Sequence, residues 1–324
     1  MGLGHLYRCL ALAEMLPAYF QCTLVTRDLP EALRAEFLSV FGQIEEFGRA
    51  ARLDPAAEVL SLAERLSQAL PAPIIVLDGY HFDTAYQRSI KQAGYKLVCI
   101  DDIHAVHYLA DVVINHAGGI PDDAYSVEPY TQLLTGPKYA LIRQGFLTKH
   151  KREETPLHGF ICLGGADPPN ATLKVLRRCR EVYPAIPYSV VIGGAYLHRA
   201  ALEQYIGEQA GDIDLLSNLS ASDMAAKMSA STFGVTSPST VSFEYLNCGG
   251  LLYLEMIADN QKRINDFYLE AGVALSFSND FPVRDEARRR EVLANKARLF
   301  DGRSPVRCAE LFNKLARGED YITD

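Results

Sequence analysis

The hydrophobic pattern predicts an α/β protein. From residue 22 onward, short apolar runs alternate with longer segments whose apolar residues recur at helical spacing. The apolar runs occupy residues 22–26, 74–78, 97–101, 111–115, 160–163, 188–192, 213–216, 232–236, 251–256 and 274–277. Each is continuously apolar in its middle, as expected for strands buried on both faces of a parallel sheet. This alternation predicts βαβ units.

The length predicts two domains, because 324 residues are about twice the usual size of one domain or more. The segment 148–158 carries a run of charges and a proline and offers almost nothing to bury, so it is the predicted linker. We therefore expect one Rossmann-like domain over residues 1–150 and a second over 151–324.

The N-terminus departs from this scheme. Gly2 to His5 lead straight into a predicted helix, with apolar residues at Leu6, Cys9, Leu10, Ala13 and Leu16. In an open α/β sheet such a glycine-rich turn follows the first strand. We expect either that translation begins upstream or that a different element takes the place of that strand.

Composition and charge narrow the partners. The net charge of -8 argues against binding to nucleic acid or anionic lipid. The seven cysteines form no C-x-x-C pair and fit reduced core residues of a cytoplasmic protein. Neither a signal peptide nor a membrane-spanning run is recognisable. We expect a monomer without a membrane partner, and the spacing of His104, His107 and His116 predicts no metal site.

The first candidate site is the glycine-rich turn itself. His5 follows Gly4 at the first turn of the predicted helix, where the helix dipole disfavours an imidazolium ion. A neutral imidazole there could act as a general base towards water or a hydroxyl group. The alternative is a histidine that serves only as a polar helix start.

The second candidate is the loop 164–170, which follows a buried strand and precedes a helix. Gly164, Gly165 and Asp167 lie in this loop, and Asn170 could cap the helix. Its backbone N–H groups could bind a diphosphate without a P-loop lysine. A plain strand-to-helix turn explains the same residues.

The third candidate, Ser237 with Ser239 and Thr240, also lies between a strand and a helix, which Gly249 and Gly250 end. Glu244 follows one turn later, where its carboxylate could accept both hydroxyl protons of a ribose. The alternative makes the hydroxyls helix caps and Glu244 a solvated charge.

Two further clusters follow predicted strands. Asp259, Asn260 and Gln261 could read sugar hydroxyls or phosphate oxygens, or Asp259 could simply cap the helix that ends at Gly272. In the first half, side chains at the carboxyl ends of two strands are expected to face one crevice. They are Asp78, Tyr80, Asp101 and Asp102. The aspartates could equally be caps, whereas Tyr80 is expected to point at a ligand or a domain interface.

Taken in order, these motifs resemble a known family. They are Gly-x-Gly-His-x-x-Arg-Cys-Leu (2–10), Leu-Asp-x-Tyr (77–80), Ile-Asp-Asp (100–102), Gly-Gly-x-Asp-x-x-Asn (164–170), Ser-x-Ser-x-x-x-x-Glu (237–244) and Asp-Asn-Gln (259–261). The set is similar to the nucleotide-sugar hydrolases of the pseudaminic acid pathway. The resemblance extends to about residue 277 and implies the GT-B fold, two doubly wound Rossmann-like domains with a cleft between them. Members of that family have a strand and a short polar segment before Gly-x-Gly-His, and both are missing here.

The resemblance implies hydrolysis of UDP-2,4-diacetamido-2,4,6-trideoxy-β-L-altropyranose to UDP and the free sugar, without a metal or another cofactor. It makes His5 the base and places Tyr80 and Asn260 near the sugar. The candidate nucleotide-binding residues are Gly4, Gly164, Gly165, Asp167, Ser237, Ser239, Thr240, Glu244 and Gln261. A GT-B glycosyltransferase would use the same nucleotide motifs and the same base. A third hypothesis is a module that binds a nucleotide sugar without turnover.

Overall fold

The computed structural model describes residues 3–47, 55–66, 72–147, 156–209, 211–278 and 281–319. These residues divide into two compact units. The first contains the described residues of Met1–Arg143 and Arg303–Asp324, and the second is formed by those of Gln144–Gly302.

The first unit is built on parallel strands. Its elements are α1 (Leu3–Met15), β1 (Thr23–Thr26), α2 (Glu31–Phe41), β2 (Gln43–Glu46), α3 (Pro55–Leu66), β3 (Ile74–Asp78), α4 (Thr84–Gln92), β4 (Lys96–Ile100), β5 (His107–Tyr108), β6 (Val112–Asn115), β7 (Ser126–Val127) and β8 (Gln132–Thr135). The main sheet has the order β3-β4-β6-β8, while β1-β2 and β5-β7 are separate parallel pairs.

Helix α1 packs on the β1-β2 pair. Its apolar side chains Leu6 and Leu10 are buried in a cluster with Leu24 of β1 and with Phe37 and Phe41 of α2. Only Leu24 of β1 is buried, because this strand belongs to a two-stranded sheet. The predicted burial of this strand on both faces is therefore wrong.

The second unit is one doubly wound sheet. Its elements are β9 (Gly159–Cys162), α5 (Ala171–Val182), β10 (Tyr188–Ile192), α6 (Arg199–Gly207), β11 (Ile213–Ser217), α7 (Ala221–Ala230), β12 (Phe233–Thr236), α8 (Thr240–Cys248), β13 (Leu251–Leu254), α9 (Lys262–Glu270), β14 (Leu275–Ser276) and α10 (Glu286–Leu299). The strand order is β11-β10-β9-β12-β13-β14, with every pair parallel. The winding reverses between β9 and β12, and ligands of open α/β sheets bind at such a reversal.

After α10 the chain returns to the first unit as α11 (Ser304–Arg317). The Phe312 ring packs edge-on against Phe20, and the Tyr19 hydroxyl donates a hydrogen bond to the Asn313 side chain. The predicted division at residue 150 put this whole stretch in the second domain. The structure instead places the described residues from Arg303 onward with the first unit, because the apolar side of α11 is covered there.

The described helices include none that is both long enough and apolar enough to cross a membrane.

Candidate functional site

In the first unit, the predicted base His5 lies against the carboxyl end of β3. Its Nδ1 atom is 2.6 Å from Oδ1 of Asp78, the last residue of that strand. The His5 side chain is 11% exposed and that of Asp78 only 1%. A buried carboxylate therefore holds one nitrogen of a partly accessible imidazole.

Arg8, one helical turn after His5, neutralises this carboxylate. Its Nε and Nη2 atoms donate to the two oxygens of Asp78 at 3.0 and 2.6 Å, and its Nη1 atom donates to Asp102 at 2.8 Å. Burial alone lowers the pKa of Arg8, but the charges of Asp78 and Asp102 outweigh that effect and raise it. Arg8 therefore stays a cation and ties α1 to the loops that follow β3 and β4.

These contacts determine which nitrogen of His5 carries the proton. Arg8 Nη2 also lies 2.8 Å from His5 Nδ1, but an ionised Asp78 can only accept hydrogen bonds. His5 Nδ1 must then be a donor to Asp78, and Arg8 donates to the same oxygen beside it. In the neutral ring the lone pair consequently lies on Nε2, the nitrogen that a general base would use.

Tyr80 and Asp102 extend the cluster. The Tyr80 ring packs edge-on against His5 with 4.8 Å between the ring centres, and its hydroxyl donates to Asp102 Oδ2 at 3.3 Å. Burial and the Asp102 carboxylate raise the pKa of Tyr80, so its hydroxyl stays protonated at neutral pH. Tyr80 is nevertheless 61% exposed. The structure thus brings the predicted His5 and Tyr80 together.

Asp101 bonds to the loop after β4, whereas Asp102 bonds to Arg8 and Tyr80. Its Oδ2 atom accepts hydrogen bonds from the His104 backbone N–H at 2.8 Å and from the Tyr125 hydroxyl at 3.0 Å. The positive φ angle of His104, 43°, shows how tightly this loop turns. Asp101 therefore shapes the loop after β4, as the capping alternative predicts.

In the second unit, candidate loops meet where the sheet winding reverses. A Cβ atom on Gly164, after β9, would lie 3.7 Å from the Ser237 hydroxyl, after β12. A side chain at Gly193, after β10, would collide with the backbone of Gly165. Three strand-to-helix loops are thus packed together at one edge, and the motifs predict this position for the loops after β9 and β12.

The N-terminus of α5, which follows β9, is capped by the Asp167 side chain. The Asp167 carboxylate, on a residue only 2% exposed, accepts the N–H groups of Ala171 at 2.8 Å and Thr172 at 2.7 Å. Asn170 has a left-handed backbone and makes no capping bond, so the predicted cap is wrong. Because a carboxylate already lies at the start of α5, this helix terminus is a poor site for a diphosphate.

The N-terminus of α8, which follows β12, has no side-chain cap, unlike that of α5. Ser239 precedes α8 with an extended backbone, and its side chain makes no capping bond. Its hydroxyl lies 2.9 Å from that of Ser237, next to Thr240 at the first helical position. Hydroxyl groups at an uncapped helix N-terminus suit an anion. Glu244 is only 6% exposed, so the alternative of a solvated charge is wrong for it.

The Asp259–Gln261 segment forms a short 3-10 turn before α9. Gln261 Oε1 accepts the Ile257 backbone N–H at 2.8 Å, so half of its amide serves the loop. Asp259 does not cap α9, which starts at Lys262 without a side-chain cap. Asn260 is exposed. Gln261 thus has a structural contact within its loop, and the predicted ligand-binding roles of Asn260 and Gln261 stay predictions.

Two residues of the candidate site, Arg8 and Gly193, were not predicted from the sequence. Arg8 belongs to the first motif, but its pairing with Asp78 was not predicted. The signal was its spacing, since Arg8 lies one helical turn after His5 and therefore on the same side of α1. Gly193 follows a buried strand in the same way as Gly165 does, and this repeated position was the signal there. The described residues contain no group of three side chains arranged to hold a metal ion.

Comparison with known proteins shows the fold. UGT2 from Phytolacca americana, in complex with UDP-2-fluoro-glucose and pterostilbene, has a TM-score of 0.65 at 13% identity, over 98% of each chain. A putative UDP-N-acetylglucosamine 2-epimerase from Listeria monocytogenes has a TM-score of 0.60 at 15% identity, over 100% of this chain and 98% of that one. The neighbours include GT-B glycosyltransferases, and the predicted GT-B fold is confirmed.

At the sequence level the similarity is sparser. An uncharacterized protein from Methanocaldococcus jannaschii is 24% identical over 283 residues, which are 83% of this chain and 56% of that protein. The chain thus spans about half the length of the curated relative it matches. No family model matches it.

Proposed function

We propose that this protein hydrolyses a UDP-linked amino-deoxy sugar at the anomeric carbon and releases UDP and the free sugar. UDP-2,4-diacetamido-2,4,6-trideoxy-β-L-altropyranose is the substrate type that the motifs favour. The observation that carries the proposal is the His5 ring, held through Nδ1 by Asp78 with Nε2 left for a proton from water.

The second unit supplies the nucleotide-binding groups in this proposal. The N-terminus of α8, with the hydroxyls of Ser237, Ser239 and Thr240, binds the diphosphate. Glu244 lies one turn further along α8 and accepts the ribose hydroxyls. Gly164 and Gly165 let the neighbouring loop approach the nucleotide closely. Asp167 supports that loop through the start of α5.

The reaction needs one bond to form and one to break. A water oxygen attacks the anomeric carbon while the bond from that carbon to the UDP oxygen breaks, and the electron pair leaves with UDP. His5 Nε2 takes one proton of the attacking water, and Asp78 keeps the ring oriented. The leaving diphosphate is a good leaving group, so positioning and charge stabilisation are the main tasks left to the protein. Attack opposite the leaving group inverts the anomeric configuration.

The comparisons support a UDP-sugar substrate. One neighbour was solved with UDP-2-fluoro-glucose, and another is named for UDP-N-acetylglucosamine. A glycosyltransferase would differ in the acceptor, which would be a hydroxyl group instead of water. The monomeric state and cytoplasmic location expected from composition stay predictions.

The test is UDP release from the diacetamido substrate, first without and then with added acceptor alcohols. We expect release without an acceptor, and we expect His5→Ala to abolish turnover while it spares UDP affinity. His107→Ala is the matched control, because His107 lies in the same unit with a side chain 40% exposed and bonded to Ser126 and Glu128. Release only with an acceptor would identify a transferase, and binding without release would identify a binding module.

A further inference from the structure

A small cavity of about 50 Å³ opens beside the His5 cluster in the first unit. It lies between the loop after β3 and the loop after β4. Its apolar lining includes Leu77, Phe82, Cys99, Ile103, Ala105 and Val106. Ile103 is 41% exposed, so part of this apolar lining faces solvent. An exposed apolar lining next to reactive groups indicates a ligand with an apolar part.

The polar groups of the cavity connect it to the proposed base. Arg8 and Tyr80 line it, and both contact His5. Arg8 donates to carboxylates through Nε, Nη1 and Nη2, while a guanidinium group has five N–H donors. Because Arg8 lines the cavity, its N–H groups that these carboxylates do not use are the donors that a carbonyl oxygen there would require.

The charge of the surroundings excludes an anionic occupant. Arg8 is the one cation in its ion-pair cluster with Asp78 and Asp102, and Asp101 adds a third carboxylate at the cavity wall. The formal charge of these four groups is negative, so a phosphate or carboxylate would be repelled. Asp78 and Asp101 are already bonded to protein donors, which also leaves little to hold an ammonium ion.

The volume of the cavity limits its occupant to a small chemical group. A cavity needs roughly 10–15 Å³ for each water molecule, so 50 Å³ holds about three to five waters. An acetamido group contains four non-hydrogen atoms and joins an apolar methyl group to a carbonyl acceptor. It matches the cavity in size, in its apolar part and in its hydrogen-bond acceptor.

We propose that this cavity is a specificity subsite that takes an acetyl group of an N-acylated sugar, with Cys99 and Val106 limiting the length of the acyl chain. The proposal rests on the proposed function, since it locates the sugar of that substrate beside His5. Val106 and Cys99 both pack into the apolar core behind the cavity, so neither can move aside freely to admit a longer chain.

The test exchanges acyl groups one at a time. Substrates are the UDP-diacetamido sugar and its two analogues in which one acetamido group is replaced by propionamido. One added methylene changes selectivity in an apolar pocket by about 10- to 200-fold. At one of the two positions we expect the original protein to disfavour propionyl by about 10-fold or more in kcat/KM. Val106→Ala, which enlarges the cavity, is expected to remove most of that preference.

Val127→Ala is the matched control, because Val127 packs against the same core and is absent from the cavity lining. It should leave the acetyl preference intact, and a gain of activity on the longer substrate cannot arise from misfolding. Equal kcat/KM for acetyl and propionyl at both positions in the original protein would overturn the subsite. An unchanged preference in Val106→Ala would also overturn it.

Binding separates this proposal from the hydrolysis itself. Calorimetry with the His5→Ala variant, which should not consume substrate, gives Kd for the same three nucleotide sugars. If no UDP is released by the original protein but the acetyl substrate still binds about 10-fold more tightly, hydrolysis is wrong and the subsite stands. If UDP is released but all three sugars react and bind equally, the subsite is wrong and hydrolysis stands.

Discussion

Replacing Asp78 by asparagine tests how the proposed base is positioned. For an imidazolium at His5, attraction to Asp78 at 2.6 Å is about 6 kcal/mol at an effective dielectric constant near 20. Repulsion by Arg8 Nη2 at 2.8 Å is about as large on the same scale. Arg8 thus offsets much of the attraction by Asp78, and the contribution of Asp78 that this variant tests is the orientation and tautomer of the ring. An amide at position 78 can donate to Nδ1 and so move the ring proton to Nε2.

We expect Asp78→Asn to lower kcat by about 10³- to 10⁴-fold, the scale seen when a catalytic histidine has the wrong tautomer. Kd for UDP should change little, because all the candidate nucleotide-binding residues except Gly4 lie in the second unit. The assay is UDP release under saturating substrate, with UDP binding measured by calorimetry. A variant that kept a tenth or more of the original kcat would refute the positioning argument.

Stability needs a separate control in that experiment. Weakening the buried pair of Asp78 with Arg8 should reduce the free energy of unfolding by about 3 kcal/mol. Asp111→Asn is matched to it, because the Asp111 carboxylate in the same unit also pairs with cations, Lys91 at 2.6 Å and Lys96 at 3.4 Å. Asp111→Asn should lower stability with kcat retained. An equal loss of kcat in both variants would assign the effect of Asp78 to folding.

Three other substitutions test other parts of the account. Glu244→Gln should raise Kd for UDP by a factor of about 5 to 150, the cost of about 1 to 3 kcal/mol for poorly paired ribose hydroxyls, whereas the same change at the exposed Glu286 should not; calorimetry decides. Asp167→Asn should destabilise the protein by about 1 kcal/mol through the start of α5 without weakening UDP binding, and weaker binding at full stability would make Asp167 a nucleotide ligand. Burial, with a smaller contribution from the charge of Arg8, lowers the pKa of His116 from 6.5 to about 3. The unfolded chain then binds a proton that the folded chain does not, so the free energy of unfolding should fall as pH drops from 6.5 towards 3, by up to about 1.4 kcal/mol per pH unit. Denaturation across this range should show a smaller slope in His116→Gln but not in His107→Gln, and equal slopes would contradict the assignment.

The strands that could be predicted are those whose pattern is local. Ile74–Asp78 and Tyr188–Ile192 have the predicted bounds because each is a continuous apolar run inside a parallel sheet. The edge strand Gln43–Glu46 escaped prediction because it carries three polar residues and has no fully buried position. Among the described strands, Gln132–Thr135 pairs only with β6, and it has one buried residue, Leu134, so its apolar signal is short.

In the candidate site, too, positions set by local pattern could be predicted, whereas contacts between distant residues could not. Residues at the ends of predicted strands, such as Tyr80 and Ser237, could be placed at a sheet edge from the strand pattern alone. The contact of His5 with Asp78 spans 73 positions, and nothing local in the sequence specifies it. Asp167 and Asn170 are equally good caps by residue type, and the backbone path of the loop decided which carboxyl or amide group reaches α5.

Isotope labelling in H₂¹⁸O identifies the atom that the water attacks. The protein is incubated with the UDP-diacetamido sugar in labelled water, without an acceptor, and both products are weighed by mass spectrometry. We predict unlabelled UDP, because water attacks carbon; the UDP mass decides, since the anomeric oxygen of any free sugar exchanges with labelled water. Label in UDP would mean that water attacks phosphorus instead of carbon, and that result, or the absence of any product, would contradict the account.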